Sequence, residues 1–220
     1  MLARVLEPEV MDTQAEARDY DAMDHQAVNE LFVSDFLKIW DGGVPILDVG
    51  TGTAQIPIAL CQASAGARVV AIDLADEMLR LGRLNVRREG LEDRITLELR
   101  DAKRLPYHEA TFAAVISNSI IHHIPEPLYV VREIVRVLAP DGALLVRDLL
   151  RPTDMESLEH LVRTYAGDAN AHQQKLFAES LHAALTLDEA RRLVTAVGWD
   201  PDNVRQTSDR HWTWTVRQTS

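Results

Sequence analysis

The stretch that decides the fold is Ile46-Leu-Asp-Val-Gly-Thr-Gly-Thr-Ala54. An apolar run that ends in an aspartate and two closely spaced glycines predicts a strand that turns directly into a helix. Glycine lets the backbone of such a turn approach a ligand, and the N-terminus of the next helix adds positive potential. The stretch therefore predicts a site for a nucleotide-like ligand at the carboxyl end of a strand.

Two details of this turn argue against a dinucleotide. The dinucleotide fingerprint G-x-G-x-x-G requires a third glycine at the position of Gln55. Asp48 places a carboxylate just before Gly50, which suits a cofactor with a cationic ammonium or sulfonium group better than one with a pyrophosphate. An NAD-dependent oxidoreductase is therefore the less favoured alternative.

Outward from the turn, short apolar runs alternate with segments of helical period, which predicts an α/β fold with a doubly wound, mostly parallel sheet. The predicted parallel strands are 45–50, 67–73, 95–99, 113–118 and 143–150. The segments 203–208 and 211–217 predict an antiparallel edge pair, which completes a seven-stranded sheet.

The length of 220 residues predicts a single domain, 1–220. Within it we expect a helical cap (1–44), a cofactor-binding core (45–149), a helical insertion after the fifth strand (150–185), and a last helix with the edge strands (186–220). The cap includes an apolar-striped helix from about His25 to Trp40. Thr186 and Glu189 have the spacing of a capping box, which predicts the start of the last helix.

The charge balance argues against nucleic acid as a partner. The chain has 23 Lys and Arg against 34 Asp and Glu, a formal charge of -11. Its one cysteine cannot form an internal disulfide, and no apolar run reaches the roughly 18 residues of a membrane span. We expect a cytoplasmic protein, a monomer or homodimer, with a small-molecule substrate and neither a nucleic acid nor a membrane partner.

A second acidic residue lies at the spacing from the glycine turn that a nucleotide-binding site requires. Asp73 ends the next strand about twenty residues later, where a carboxylate can accept hydrogen bonds from a ribose diol. With Asp73 added, the ordered motifs of the chain resemble those of class I S-adenosylmethionine-dependent methyltransferases, in the branch of small-molecule quinone-biosynthesis methyltransferases. The motifs that carry the resemblance are 48–54, 72–74, 100–102, Asn118 with 122–124, and 138–144, within roughly 46–148.

The resemblance implies a Rossmann-like fold, S-adenosylmethionine as the cofactor, and in-line transfer of its methyl group to a small-molecule acceptor. It also implies a set of cofactor-binding residues: Asp48; Gly50 and Gly52 along the methionine part; Asp73 on the ribose; Leu74, Asp101 and Ala102 around the adenine; Asn118 beneath the sulfonium; and Tyr20 as part of a closing lid. Ala54 stands where the family more often has a third glycine. We expect its methyl group at a helical position, with a slightly altered fit.

Two adjacent histidines follow the fourth strand. His122 and His123 are candidate catalytic residues, since an imidazole can act as a general base toward a hydroxyl or amine acceptor. A packed, hydrogen-bonded turn explains the pair equally well. We expect no metal site, because neighbouring histidines should point apart and no third ligand is suitably spaced.

Four further residues are candidates for binding the substrate: His25, Arg147, Tyr165 and His172. Solvated helix faces and surface ion pairs would place the same residue types there without any ligand. A non-catalytic S-adenosylmethionine-binding or interaction protein therefore stays an alternative, with the insertion and the tryptophan-bearing edge strand as its partner surface.

Overall fold

The computed structural model describes residues 2–7, 13–21 and 26–217, which form seven strands in one sheet. The strands are β1 (Ile46–Val49), β2 (Val69–Asp73), β3 (Ile95–Leu99), β4 (Phe112–Asn118), β5 (Leu138–Leu149), β6 (Val204–Gln206) and β7 (His211–Arg217). Their order is β3-β2-β1-β4-β5-β7-β6. β1 is parallel to β2 and β4, β2 is parallel to β3, and β6 is antiparallel to β7. The predicted mostly parallel sheet with an antiparallel edge pair is confirmed.

The helices of the described residues are α1 (Gln14–Asp21), α2 (Gln26–Leu37), α3 (Gln55–Ala63), α4 (Asp76–Arg88), α5 (Pro127–Val137), α6 (Met155–Ala166), α7 (Ala171–Ala183) and α8 (Leu187–Ala196). Short 3₁₀ helices cover Ile121–His123 and Pro201–Asn203. None of the helices in the described ranges is long and apolar enough to cross a membrane.

The chain folds into two compact units. The first, here the core unit, comprises Val10–Asn118, Arg132–Val146 and Thr215–Ser220. The second, here the histidine unit, comprises Met1–Glu9, Ser119–Val131 and Arg147–Trp214.

The core unit is built around β1, whose four residues are all buried. Phe32 and Phe36 of α2 pack with Ile46 and Leu60 in the main hydrophobic cluster. Each side chain of this size that leaves water contributes about 1.5–3 kcal/mol to folding. Parallel register sets Asp48 between Ala71 and Ile116, at the carboxyl ends of three buried strands.

The ends of the core-unit elements follow the local chemistry of the chain. α4 ends at Arg88, and Gly90 then takes a left-handed φ of 65°, the conformation in which a glycine commonly ends a helix. β5 begins at Leu138 rather than at the predicted Ala143. Pro140 and Asp141 are exposed there, and a proline without a backbone donor is tolerated near the start of a strand.

The histidine unit contains α6 and α7 of the predicted insertion. Leu158 and Leu161 of α6 pack against Leu181 of α7 and against Leu149 of β5. Both predicted partners of the α8 capping box are present, because the Thr186 side chain accepts from the Glu189 N–H and Glu189 accepts from the Thr186 N–H. Leu2 also contacts the α6–α7 cluster, so the N-terminal segment 2–7 belongs to this unit.

Candidate functional site

The glycine turn after β1 has the open backbone that its sequence predicts. Gly50 and Gly52 have φ values of 76° and 56°, in the left-handed region that glycine adopts without a steric penalty. The N–H groups of Gly50 and Thr51 both donate to the Ile72 carbonyl at 2.9 Å. The turn is therefore tied to the carboxyl end of β2.

Asp73 fixes the same turn through its side chain. Its Oδ2 accepts from the Gly52 N–H at 2.7 Å, and its Oδ1 accepts from the Ala75 N–H at 2.9 Å. A carboxylate oxygen has two lone pairs and can therefore accept more than one hydrogen bond. Asp73 thus joins the glycine turn to the start of α4, and the geometry is compatible with its predicted ribose contact.

Asp48 is a buried carboxyl group without a matching donor. Its exposure is 2%, and its Oδ2 has no hydrogen-bond partner among the described residues. Burial raises the pKa of Asp48 to about 7, and the charge of Asp73 acts in the same direction. The nearby Thr51 hydroxyl lowers this pKa, but it does not reach hydrogen-bond geometry with Asp48. A cationic ligand group would pair with this carboxylate. The lining of the site therefore fits the positively charged methionine end of S-adenosylmethionine.

The expectation that Ala54 is helical is wrong. Ala54 precedes α3 with φ 65° and ψ 24°, a left-handed conformation that costs a non-glycine residue about 1–2 kcal/mol. Its methyl group is fully buried. A Cβ built at Gly82 of α4 would lie 3.4 Å from this methyl, so close packing of α4 accompanies the strained turn.

Sequence reasoning missed Asn85, which supports the glycine turn from α4. Its exposure is only 5%, and its Nδ2 donates to the Thr53 carbonyl at 3.1 Å and to Asp21 Oδ1 at 2.8 Å. It therefore connects the turn to α1. The available signal was a polar side chain on the apolar stripe of α4, in line with Met78 and Gly82.

Four of the remaining predicted cofactor residues lie at the ends of core-unit strands or in the loops after them: Leu74, Asp101, Ala102 and Asn118. Leu74 follows β2 and is 40% exposed, so its apolar side chain is accessible to a ligand. Asp101 accepts from the Lys103 N–H at 2.9 Å through Oδ1, beside Ala102. Asn118 ends β4, and its buried Oδ1 has no partner among the described residues. Tyr20 lies in α1, while its side chain is outside the described residues, as is all of His25.

The two candidate catalytic histidines lie in the histidine unit. His122 is 3% exposed, and its Nδ1 lies 2.6 Å from Asp148 Oδ1. Burial lowers the pKa of His122, but the Asp148 and Glu7 carboxylates outweigh this effect and raise it overall. The same contact holds the pKa of Asp148 below its ordinary value despite burial.

Glu7 brings the second histidine into this group. Glu7 Oε1 lies 3.0 Å from His123 Nδ1 and 3.5 Å from His122 Nε2. The expectation that the two rings point apart is wrong, because the 3₁₀ turn places their centroids 4.1 Å apart with a 35° tilt. Nothing in the local sequence around His122 indicated that a residue as distant as Glu7 joins it.

Three of the predicted substrate-binding residues, Arg147, Tyr165 and His172, lie among the described residues. Arg147 is buried and donates through Nε to Thr213 Oγ1 at 3.0 Å. The Tyr165 hydroxyl donates to Asp209 at 2.7 Å, and the Arg210 guanidinium lies 3.3 Å from the centre of its ring. His172 is exposed near the start of α7. Their substrate contacts stay predictions.

Comparison with known proteins supports the same interpretation of the glycine turn. The family model described as "Methyltransferase domain" matches residues 47–146. The demethylmenaquinone methyltransferase of Renibacterium salmoninarum is 32% identical over 178 residues, which cover 74% of this chain and 71% of that protein. The 27-O-demethylrifamycin SV methyltransferase of Amycolatopsis mediterranei is 28% identical over 76% of this chain and 57% of that protein.

The chain spans about half the length of several other curated relatives that it matches. Among solved structures, a SAM-dependent methyltransferase from Aquifex aeolicus has the same fold, with a TM-score of 0.66 and 18% identity over 92% of this chain and 97% of that one. The glycine turn, the strand-end carboxylates and these similarities agree, and the chain belongs to the class I S-adenosylmethionine-dependent methyltransferase family.

Proposed function

We propose that this protein binds S-adenosylmethionine at the glycine turn of the core unit and transfers its methyl group to a small-molecule acceptor. The observation that carries the proposal is the pair of carboxylates at the turn: Asp73, which holds Gly52, and Asp48, which is buried with an unpartnered oxygen. An anionic pyrophosphate beside Asp48 would be repelled, whereas a cationic cofactor group would be attracted.

Different residues of the chain would contact different parts of the cofactor. When bound, S-adenosylmethionine supplies a methyl group activated by a positively charged sulfur. Asp73 would accept from the ribose hydroxyls, Leu74 would cover the adenine, and Asp101 with Ala102 would recognise its edge. Asp48 and Asn118 offer the unpartnered buried oxygens that suit the charged methionine end.

The class of acceptor is proposed from the relatives. Their names refer to a demethylated menaquinone and a demethylated rifamycin, both of them small organic molecules rather than polymers. The chain carries a formal charge of -11, which also disfavours a nucleic acid acceptor. We therefore propose a small, largely apolar acceptor.

A general base at His122 or His123 stays a prediction. Positioning of the reactants and exclusion of water can account for about 7–11 kcal/mol of barrier lowering, so methyl transfer does not require a base. Both ring nitrogens of His122 face carboxylates, at 2.6 Å for Asp148 and 3.5 Å for Glu7.

The proposal is tested by isothermal titration calorimetry of the protein with S-adenosylmethionine, its demethylated product and NAD. We expect micromolar binding of the first two ligands and none of NAD. Asp73→Ala should abolish that binding, since it removes the ribose acceptor and frees the Gly52 N–H. Asp76→Asn, a change at an exposed carboxylate in the first turn of α4, should bind as the wild type does.

Other outcomes would identify the alternatives. Binding of NAD alone would support the oxidoreductase, and no binding of any of the three ligands would refute the proposed cofactor site. Tight cofactor binding without turnover of a panel of hydroxylated quinones and phenols would favour the non-catalytic binding protein.

A further inference from the structure

The strongest unassigned feature is the group formed by Glu7, His122 and His123 in the histidine unit. One ligand atom from each residue lies within 4.8 Å of the others. Glu7 Oε1 and His123 Nδ1 are buried, and neither has a hydrogen-bond partner in acceptable geometry, although they lie only 3.0 Å apart. A carboxylate oxygen and an imidazole nitrogen at this distance can share a proton or bind one cation together.

The spacing of the three atoms fits a single metal ion. Glu7 Oε1 lies 3.0 Å from His123 Nδ1 and 3.5 Å from His122 Nε2. Ligands about 2.0–2.1 Å from a tetrahedral ion are separated by about 3.3–3.4 Å from each other, close to both of these distances, and the two imidazole nitrogens lie within 4.8 Å of each other.

The surroundings hold these ligands in place. Asp148 contacts His122 Nδ1 at 2.6 Å, which leaves Nε2 directed at the group, and a carboxylate behind a ligand histidine is the usual partner in metal sites. The Ser180 hydroxyl donates to Glu7 Oε2 at 3.1 Å, which leaves Oε1 for the ion.

Arg4 holds the backbone of the same turn without occupying the ligand atoms. Its guanidinium donates to the carbonyls of His122 and Ile124 at 3.0 Å and to that of Ala183 at 2.7 Å. The carboxylates of Asp148 and Glu7 lie against the two ring nitrogens of His122.

We propose that Glu7, His122 and His123 form a site for a divalent transition metal of the zinc class. Two imidazoles and one carboxylate are the ligands such ions prefer, and water would complete the tetrahedron. The ion would fasten the N-terminal segment 2–7 to the 3₁₀ turn Ile121–His123. This inference does not depend on the proposed cofactor or acceptor.

The test uses the untagged full chain, stripped with a chelator and then titrated with Zn²⁺ or Co²⁺. We expect one equivalent of metal by mass spectrometry, a tetrahedral Co²⁺ absorption spectrum, and a melting temperature raised by about 5 °C at saturation. Glu7→Gln and His123→Ala should each lose the Co²⁺ spectrum and the thermal shift. His160→Ala, at an exposed histidine of α6, should retain both.

The proposal fails if the wild type takes up no metal at micromolar concentration, or if the two ligand variants keep the Co²⁺ spectrum. Circular dichroism of the metal-free variants separates loss of the site from loss of the fold. Glu7→Gln is nearly isosteric and can still accept from Ser180, so it should stay folded while it loses the ion.

Discussion

At the residue scale, the protonation of Asp48 links folding to pH. Its pKa is raised from 3.8 to about 7 in the folded state, so between these values the folded protein holds a proton that the unfolded chain does not. The contribution of Asp48 to stability should therefore grow as the pH falls from 8 to 6. Asp48→Asn should remove that part of the slope, measured as the wild-type-minus-variant difference in urea unfolding at pH 6, 7 and 8. A difference in unfolding free energy that stays constant from pH 6 to pH 8 would contradict the raised pKa of Asp48.

The same carboxyl group should couple cofactor binding to proton release. A cationic ligand favours ionised Asp48, so S-adenosylmethionine should bind more tightly at pH 8 than at pH 6. Binding at pH 6.5 should release a fraction of a proton, which calorimetry detects as a dependence of the enthalpy on the buffer. In Asp48→Asn the proton release should vanish. If the binding enthalpy of the wild type does not depend on the buffer, the positively charged group of the cofactor does not lie beside Asp48.

At the scale of elements, the buried Asn85 joins α4 to the glycine turn and to α1. Asn85→Ala leaves the Thr53 carbonyl and the Asp21 carboxylate without this donor, and we expect a loss of about 1–3 kcal/mol in unfolding free energy. Cofactor affinity should fall as well, since the turn is less well held. Arg87→Ala, at an exposed position of the same helix, should cost less than about 0.5 kcal/mol. If the two substitutions lower the unfolding free energy equally, Asn85 does not support the glycine turn.

The start of α8 is held by an ion pair between a buried arginine and a partly exposed glutamate. Arg151 is 4% exposed at its side chain, and Glu189 accepts from it through both oxygens at 2.7 and 2.8 Å. Glu189→Ala leaves a buried charge unpaired and removes the capping box, so we expect a loss of about 3–5 kcal/mol. Asp188→Ala removes an exposed acid from the same helical turn and should cost far less. Thermal unfolding of the two variants gives the comparison.

At the scale of the whole molecule, a formal charge of -11 on 220 residues produces net self-repulsion. Screening should relieve it, because the Debye length falls from about 30 Å at 0.01 M salt to about 8 Å at 0.15 M. The melting temperature should therefore rise over that range of sodium chloride. A fall would show that attractive ion pairs outweigh the repulsion.

The sheet could be predicted because each strand is marked by a short pattern of neighbouring residues in the sequence. Buried parallel strands such as β1 and β2 are short apolar runs, and the glycine turn and Asp73 follow directly from them. The Glu7 contact with His122 joins residues far apart in the chain, and no local pattern encodes such a contact. Ala54 adopts a left-handed conformation that its side chain does not favour, so the helical position expected from the motif was wrong. A single domain over the whole length stays a prediction beside the two compact units.

The buried carboxyl of Asp48 has a consequence for inhibitor discovery. With a pKa of about 7, the group is largely neutral in an assay at pH 6 and largely ionised at pH 8. A compound library screened at the lower pH would enrich for neutral hydrogen-bonding headgroups, while the same library at the higher pH would enrich for amines. The choice of assay buffer therefore selects the chemical series that is found.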